Sequence, residues 1–238
     1  MANSPKGTVY GIGVGPGDPD LITVKAQRLL REAPVIAYPA PPEGESLARR
    51  IAAPHISHGK TEIAIRMPLD RRNFPAPEIY DRAAEEIGGH LAAGRDVAVL
   101  CEGDPFFYGS FMYLFARLAR DWPVEVVPGV SSLTAASAML AAPLAARDDV
   151  LMVLPATLDE AELRVRLAET QAAAIIKLGR HFAKVKRILD RLGLAAHARY
   201  IEHATMDGQR ILALDEVEAD TVPYFSMILM HRRGEAWL

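Results

Sequence analysis

Apolar residues in the first half of the chain follow two alternating rhythms. Short β-branched runs, "TVYGIGV", "PVIAY", "RDVAVL" and "VEVVPG", read as strands. Between them, apolar positions recur at three- and four-residue spacing in "DLITVKAQRLLREA", from about Pro77 to Ala93, and after "CEGDPFFYG" to about Arg120, which predicts helices. Strand and helix in alternation predict a parallel sheet covered by helices. From Asp149 the order changes to strand "VLMVLP", helix Asp159 to Glu169, strand "AAAIIKLG" and helix to about Leu192. Three strand-like runs follow with no helix between them, "ARYIEHA", "QRILAL" and "YFSMILM", and consecutive strands require antiparallel members. The expected fold class is therefore α/β, as two α/β domains. An N-terminal domain with a mostly parallel sheet is expected at 1–126 and a C-terminal domain with a mixed sheet at 146–238. An alanine-rich helix region at 127–145 is expected between them, and "PAPPEGE" and "RRNFPAPE" read as loops.

Composition narrows this picture. Of 238 residues, 50% are apolar and 24% charged, with a net charge of −3, so no global positive field draws polyanions, and nucleic acid is not an expected partner. The stretch from Val126 to Ala146 carries no charge, but its prolines, hydroxyls and alanines make it too weakly apolar for a membrane span. A single cysteine and an N-terminus without an apolar leader fit a cytoplasmic chain.

Two turns carry candidate chemistry. In "VYGIGVGPGDPDL" the glycines stand at 11, 13, 15 and 17, which is not the spacing of a dinucleotide-binding turn, and Pro16 lacks an N–H. Asp18 and Asp20, at the expected helix start, would repel a pyrophosphate. The second strand ends without an acid to grip a ribose, so a nicotinamide or flavin nucleotide is disfavoured. In "CEGDPFFYG", glycine allows close backbone approach, aspartate accepts hydrogen bonds from an ammonium or ribose hydroxyl, and aromatic flanks cover apolar surface. The pair of turns suits a nucleoside with an amino-acid end and no phosphate, although such residues are also common in plain β-turns.

Five stretches in order, "GVGPGDPDLIT", "CEGDPFFYGSF", "VPGVSSLTAASA", "IIKLGR" and "YFSMIL", resemble the tetrapyrrole methyltransferase family over nearly the whole chain. Within it, the insertion before "PEIYDRAAEEI" and the extended "EGDPFFYGSFMYL" look most like the branch acting on precorrin-2 at carbon 20. The resemblance implies S-adenosyl-L-methionine as cofactor, held in a cleft between two α/β domains, a tetrapyrrole substrate and a homodimer. It places Pro16 at the cofactor cleft, and Gly103, Asp104 and Phe107 in the loop that holds the methionine end and ribose. It matches Ser131 and Ser132 to a donor-contacting pair, Leu178 to an apolar position over the cofactor, and Ala204 and Ser226 to backbone positions that receive adenine.

One departure matters. Relatives that methylate uroporphyrinogen often carry a proposed aspartate base after the second strand, where this chain has Pro39, while Lys60 is set against a lysine of those enzymes. Transfer from a sulfonium needs alignment and no nucleophilic side chain, so Asp104 is expected to bind amino or ribose groups away from sulfur. The carbon must later lose a proton, and Glu102, Tyr108, Lys60 or a water are the candidate bases. The polycarboxylate substrate calls for local cations. Lys177 and Arg180, with Lys184, Arg187 and Arg191 on one helical face, are one candidate group, against the alternative of a solvated amphipathic helix; Arg66, Arg71 and Arg72 are another. His55 and His58 lack a third ligand nearby, so no metal is expected, and Cys101 reads as a packed thiol. Methylation at another ring carbon, ribosomal RNA methylation, a dinucleotide-dependent oxidoreductase and a non-catalytic ligand-binding module are the competing readings.

Overall fold

The computed structural model of the protein describes residues 6–67 and 77–233. The chain divides into two compact units, Met1–Ser131 and Ser132–Leu238. In unit 1, strands β1 (Val9–Gly13), β2 (Val35–Ala40), β3 (Thr61–Arg66), β4 (Val97–Cys101) and β5 (Val124–Val127) form one sheet in the order β3-β2-β4-β1-β5. Every pairing in it is parallel. Helices α1 (Val24–Glu32) and α2 (Leu47–Ala52) cover one face, and α3 (Pro77–Ala92) and α4 (Phe111–Leu118) cover the other. All five residues of β4 are buried: Val97, Val99 and Cys101 pack toward α3 and α4, and Ala98 and Leu100 toward α1 and α2. A strand covered on both faces has no polar face, which is why "VAVLC" reads as a continuous apolar run.

This topology creates a crevice. The helix after β1 packs on one face and the helix after the neighbouring β4 on the opposite face, so the chain parts at the carboxyl ends of these two strands, the usual ligand position in an open parallel sheet.

Unit 2 holds α5 (Ser132–Met139), β6 (Leu151–Pro155), α6 (Glu160–Glu169), β7 (Ala172–Ile176), α7 (Phe182–Arg191), β8 (Ala198–Glu202), β9 (Arg210–Leu212) and β10 (Ser226–His231). Its sheet runs β6-β7-β10-β8-β9, with β6 and β7 parallel and the remaining pairs antiparallel. Helix α7 buries Phe182, Val185, Ile188 and Leu189 at three- and four-residue spacing, each contributing roughly 1.5–3 kcal/mol by leaving water.

Several sequence expectations need adjustment. Helix α1 starts at Val24, not at Asp20, because the Thr23 hydroxyl accepts the Ala26 N–H at 3.2 Å and caps it. Asp18 instead caps a separate 3-10 turn, Pro19–Leu21, by accepting the Asp20 N–H at 2.9 Å. Strand β3 and the short helix α2 were not anticipated, although "TEIAIR" buries Ile63 and Ile65 and exposes the alternate positions. The alanine-rich stretch contributes only the eight residues of α5, and among the described residues no helix is long and apolar enough to cross a membrane. The run "QRILAL" yields the three-residue β9 and then a 3-10 turn at Leu214–Glu216.

Candidate functional site

At the crevice of unit 1, three loops meet through glycine. Beyond β1, the Val14 N–H reaches the Cys101 carbonyl at 3.0 Å, and Gly15 and Gly103 exchange backbone hydrogen bonds of 3.3 and 2.8 Å. A Cβ on Gly13 would stand 2.6 Å from both the Gly103 oxygen and the Gly129 Cα, and one on Gly129 would stand 2.1 Å from the Gly103 oxygen. Only hydrogen fits at Gly13 and Gly129. Pro16 is buried directly after the Gly15–Gly103 bridge.

Asp104 completes this junction. One carboxylate oxygen accepts the N–H groups of Phe106 and Phe107 at 2.9 and 3.1 Å, and the other accepts the Gly129 N–H at 3.0 Å. Its carboxylate, expected to face amino or ribose groups, thus binds three backbone donors of its own chain. Phe107 is half-buried and meets the exposed Tyr108 ring edge-on at 5.2 Å, and Tyr108 has a left-handed backbone (φ 57°). Ser131 closes unit 1 and is half-buried, while Ser132 is exposed at the first turn of α5.

The three candidate bases separate by position. Glu102 is half-buried just past β4 at the crevice end, accepts the N–H of Ala48, and has its carboxyl pushed up by burial. Tyr108 sits in the exposed aromatic flank. Lys60 lies elsewhere: it precedes β3 at the amino edge of the sheet, where its Nζ donates to the Arg31 and Ala33 carbonyls at 2.6 and 2.7 Å and caps α1. Burial lowers its pKa, but the crevice is at the opposite edge, so Lys60 is a helix cap and the expectation of a base there is corrected. Pro39 is paired with Ile65 inside β2, its carbonyl accepting the Ser46 hydroxyl at 2.5 Å.

In unit 2, strand register gathers the remaining candidates. Ser226 pairs with Glu202 and Met227 with Ile176, so the end of β7, the end of β8 and the start of β10 share one edge of the sheet. That edge carries Lys177 (φ 59°), Leu178, Ala204 and the buried Ser226, whose hydroxyl donates to the Pro223 carbonyl at 2.6 Å. Leu178 is wholly buried in the unit's core. Arg180 lies in a 3-10 turn, Gly179–His181, ahead of α7; it is exposed and pairs with no described acid.

The rest of the cationic face is already engaged. Lys184 donates to the Leu158 carbonyl, and Arg187 and Arg191 both pair with Glu160 at 2.9 and 3.1 Å. These contacts tie α7 to α6 and to the turn before it, in keeping with the amphipathic-helix alternative for these three cations. Arg66 holds the "PAPPEGE" loop by donating to the Pro41 and Pro42 carbonyls at 3.0 and 3.2 Å, whereas Arg71 and Arg72 lie outside the described residues. Both ring nitrogens of His55 are engaged, with Gln27 at 3.0 Å and the Pro19 carbonyl at 3.2 Å, and no described group of three or more acidic, histidine or cysteine residues could hold a metal ion. Burial pushes the Cys101 thiol up to about 11, as befits a packed side chain. Gly129, Gln209 and Glu202 escaped the sequence reading, since their importance lies in loops that meet only in space.

An open parallel sheet with a glycine junction at its switch point defines a small-molecule-binding α/β protein. Residues 8–219 match the tetrapyrrole (corrin/porphyrin) methylases, and the chain belongs to that family. The cobalamin biosynthesis protein CobIJ of Mycobacterium tuberculosis is 46% identical over 235 residues, covering 95% of this chain and 46% of that protein, so the chain spans about half of that relative. A precorrin-2 C(20)-methyltransferase of a Sinorhizobium species is 41% identical over 232 residues, 94% of this chain and 95% of that protein. The solved uroporphyrin-III C-methyl transferase of Thermus thermophilus, complexed with S-adenyl homocysteine, has a TM-score of 0.70 at 27% identity, covering 97% of this chain and 95% of that one.

Proposed function

We propose that the chain transfers a methyl group from S-adenosyl-L-methionine to a tetrapyrrole, with carbon 20 of precorrin-2 as the position methylated. The observation that carries the reading is the use made of Asp104. In a dinucleotide turn, free N–H groups face a pyrophosphate. Here the N–H groups of Phe106, Phe107 and Gly129 are bonded to the Asp104 carboxylate, and Pro16 has none to offer. The junction is anionic and closed to phosphate, which fits a donor carrying an ammonium and no phosphate, and weighs against a dinucleotide-dependent oxidoreductase. The end-to-end similarity to a precorrin-2 C(20)-methyltransferase supports the choice of position within the family.

S-adenosyl-L-methionine, when bound, supplies a methyl carbon on a positively charged sulfur. The chain's own part is to hold and align. The first loop at Pro16 and the second at Gly103 and Phe107 line the place of the amino-acid end and ribose. Ser131 and Ser132 contribute hydroxyls, Leu178 supplies apolar surface beside the donor, and backbone at Ala204 and Ser226 receives the adenine. Arg180 and Lys177 bind substrate carboxylates. Asp104 acts through the loops it joins, which keeps its negative charge away from the sulfonium that the transition state must discharge.

After methylation the ring carbon gives up a proton, and Glu102 is the side chain to take it. It lies at the crevice end of β4, and burial holds its carboxyl above the ordinary carboxylate range, which makes it a stronger base once ionised. Glu102→Gln is expected to lower kcat by roughly 10²–10⁴-fold with little change in the KM for the donor. Equal kcat in the variant assigns the proton to Tyr108 or to water. Incubation with precorrin-2 and carbon-13-labelled donor, read by carbon NMR, tests the whole reading: label at carbon 20 is expected, and label at another carbon moves the chain to another branch. A homodimer in the cytoplasm forms part of this proposal, and sedimentation measures the assembly.

A further inference from the structure

Ala204 sits between two residues with a backbone that side chains disfavour. His203 (φ 48°) and Thr205 (φ 69°) are both left-handed, and neither is glycine. A pair of such residues around one position persists only where the surroundings over-determine it. The surroundings here are specific. The His203 N–H donates to the Phe225 carbonyl at 2.8 Å, which ties the loop to the approach of β10. The Thr205 N–H donates to the Gln209 side-chain oxygen at 2.8 Å, and the Met206 N–H to the His203 carbonyl at 2.9 Å.

A buried carboxylate anchors the base of the same loop. Glu202 is 5% exposed; one oxygen accepts the Tyr200 hydroxyl at 2.7 Å and the other lies 3.4 Å from the Arg210 guanidinium. Tyr200 is itself fully buried and packs edge-on against Phe182 at 5.4 Å, so this anchor is continuous with the core. Glu202 faces Arg210 across β8 and β9, where its carboxylate joins the two ends of the loop, and its backbone pairs in register with Ser226 at the start of β10. Burying a carboxylate is costly, and an apolar residue would fill the space without that penalty.

We propose that Glu202, with Tyr200 and Arg210 beneath the loop and Gln209 within it, is a positioning device. It holds the backbone N–H and C=O of Ala204 in the one orientation that reads the 6-amino edge of a purine. The inference rests on the reading of the chain as an enzyme that binds the adenosyl donor, and it adds the residues that select adenine over other bases.

Calorimetry on the full chain with S-adenosylhomocysteine and S-inosylhomocysteine tests it, because the two ligands differ only at that purine edge. The unaltered protein is expected to bind the adenosyl compound at least tenfold more tightly than the inosyl one. Glu202→Gln and Gln209→Ala should weaken adenosyl binding tenfold or more and bring the ratio between the two ligands toward one, with the KM for the tetrapyrrole unchanged. Gln209→Glu keeps an acceptor for the Thr205 N–H and should restore the ratio. If Glu202→Gln does not fold, Gln209→Ala, altering a half-buried loop side chain, decides the matter. Affinity and ratio both unchanged in the variants overturn the inference, as does weaker binding with an unchanged ratio, while the donor reading stands. Failure of the unaltered protein to bind the adenosyl compound removes both.

Discussion

Gly129 is the residue with the least room to change. An added methyl would press into the Gly103 carbonyl, and neither backbone can yield without moving the Asp104 staple. Gly129→Ala is expected to lower stability by about 1–3 kcal/mol, read by denaturant titration, and to weaken donor binding in the same step. Asp149 offers a test by pH. The Ala146 N–H, then the His231 ring and the Arg233 guanidinium, hold its carboxyl below the usual range. A carboxyl depressed in the folded state stabilises fully above its unfolded pKa of about 3.9, and that contribution is lost as pH falls through the lower folded value. Asp149→Asn should therefore melt below the unaltered protein near neutrality, and the gap should close as pH drops below about 4. A gap that widens in acid contradicts the assignment. Residues of this kind were only half legible in the sequence. "GDP" announced a turn, but that Asp104 would reach Gly129, 25 positions on, follows from β4 and β5 flanking β1 on either side, so that the loops after all three meet.

At the level of elements, α7 shows how an amphipathic pattern reveals an apolar face but not the partners of the charges opposite it. Of the apolar stripe, Phe182, Val185 and Leu189 are buried in the core, while Leu192, just past the end of the helix, is half-buried. The opposite stripe looked like a single cationic surface, yet Glu160 of α6 binds two of its arginines and the Leu158 carbonyl binds its lysine, partners that no helical wheel displays. Arg180, outside the helix proper, is the exception. Arg180→Gln should raise the KM for the tetrapyrrole several-fold and leave that for the donor unchanged, whereas Arg187→Gln, at an exposed ion pair of the usual small worth, should change neither. Strand β3 went unseen for a related reason. An edge strand exposes one side, so charged residues at Glu62 and Arg66 interrupt the apolar run that marked the central strands, and its neighbours supply the context that makes it a strand.

For the molecule as a whole, the change from alternating elements to consecutive strands was enough to separate a parallel sheet from a mixed one, because antiparallel neighbours alone can dispense with crossover helices. Strand order was not legible, since β4 enters between β1 and β2 through pairings that sequence spacing does not encode. A donor that binds the folded chain alone must stabilise it. S-adenosylhomocysteine at about 100 times its dissociation constant should add about 2.7 kcal/mol and raise the melting temperature by several degrees. NADP should leave the transition where it is, and an equal rise with NADP would return the oxidoreductase reading.

The meeting of Gly13, Gly103 and Gly129 leaves this protein a keystone in place of a hinge. Stones around a keystone do not shift one at a time, so a search for variants that accept bulkier methyl donors will stall at these glycines. It will succeed, if anywhere, at the aromatic rim of Phe106 and Tyr108, where side chains already face water and can be exchanged without unlocking the arch.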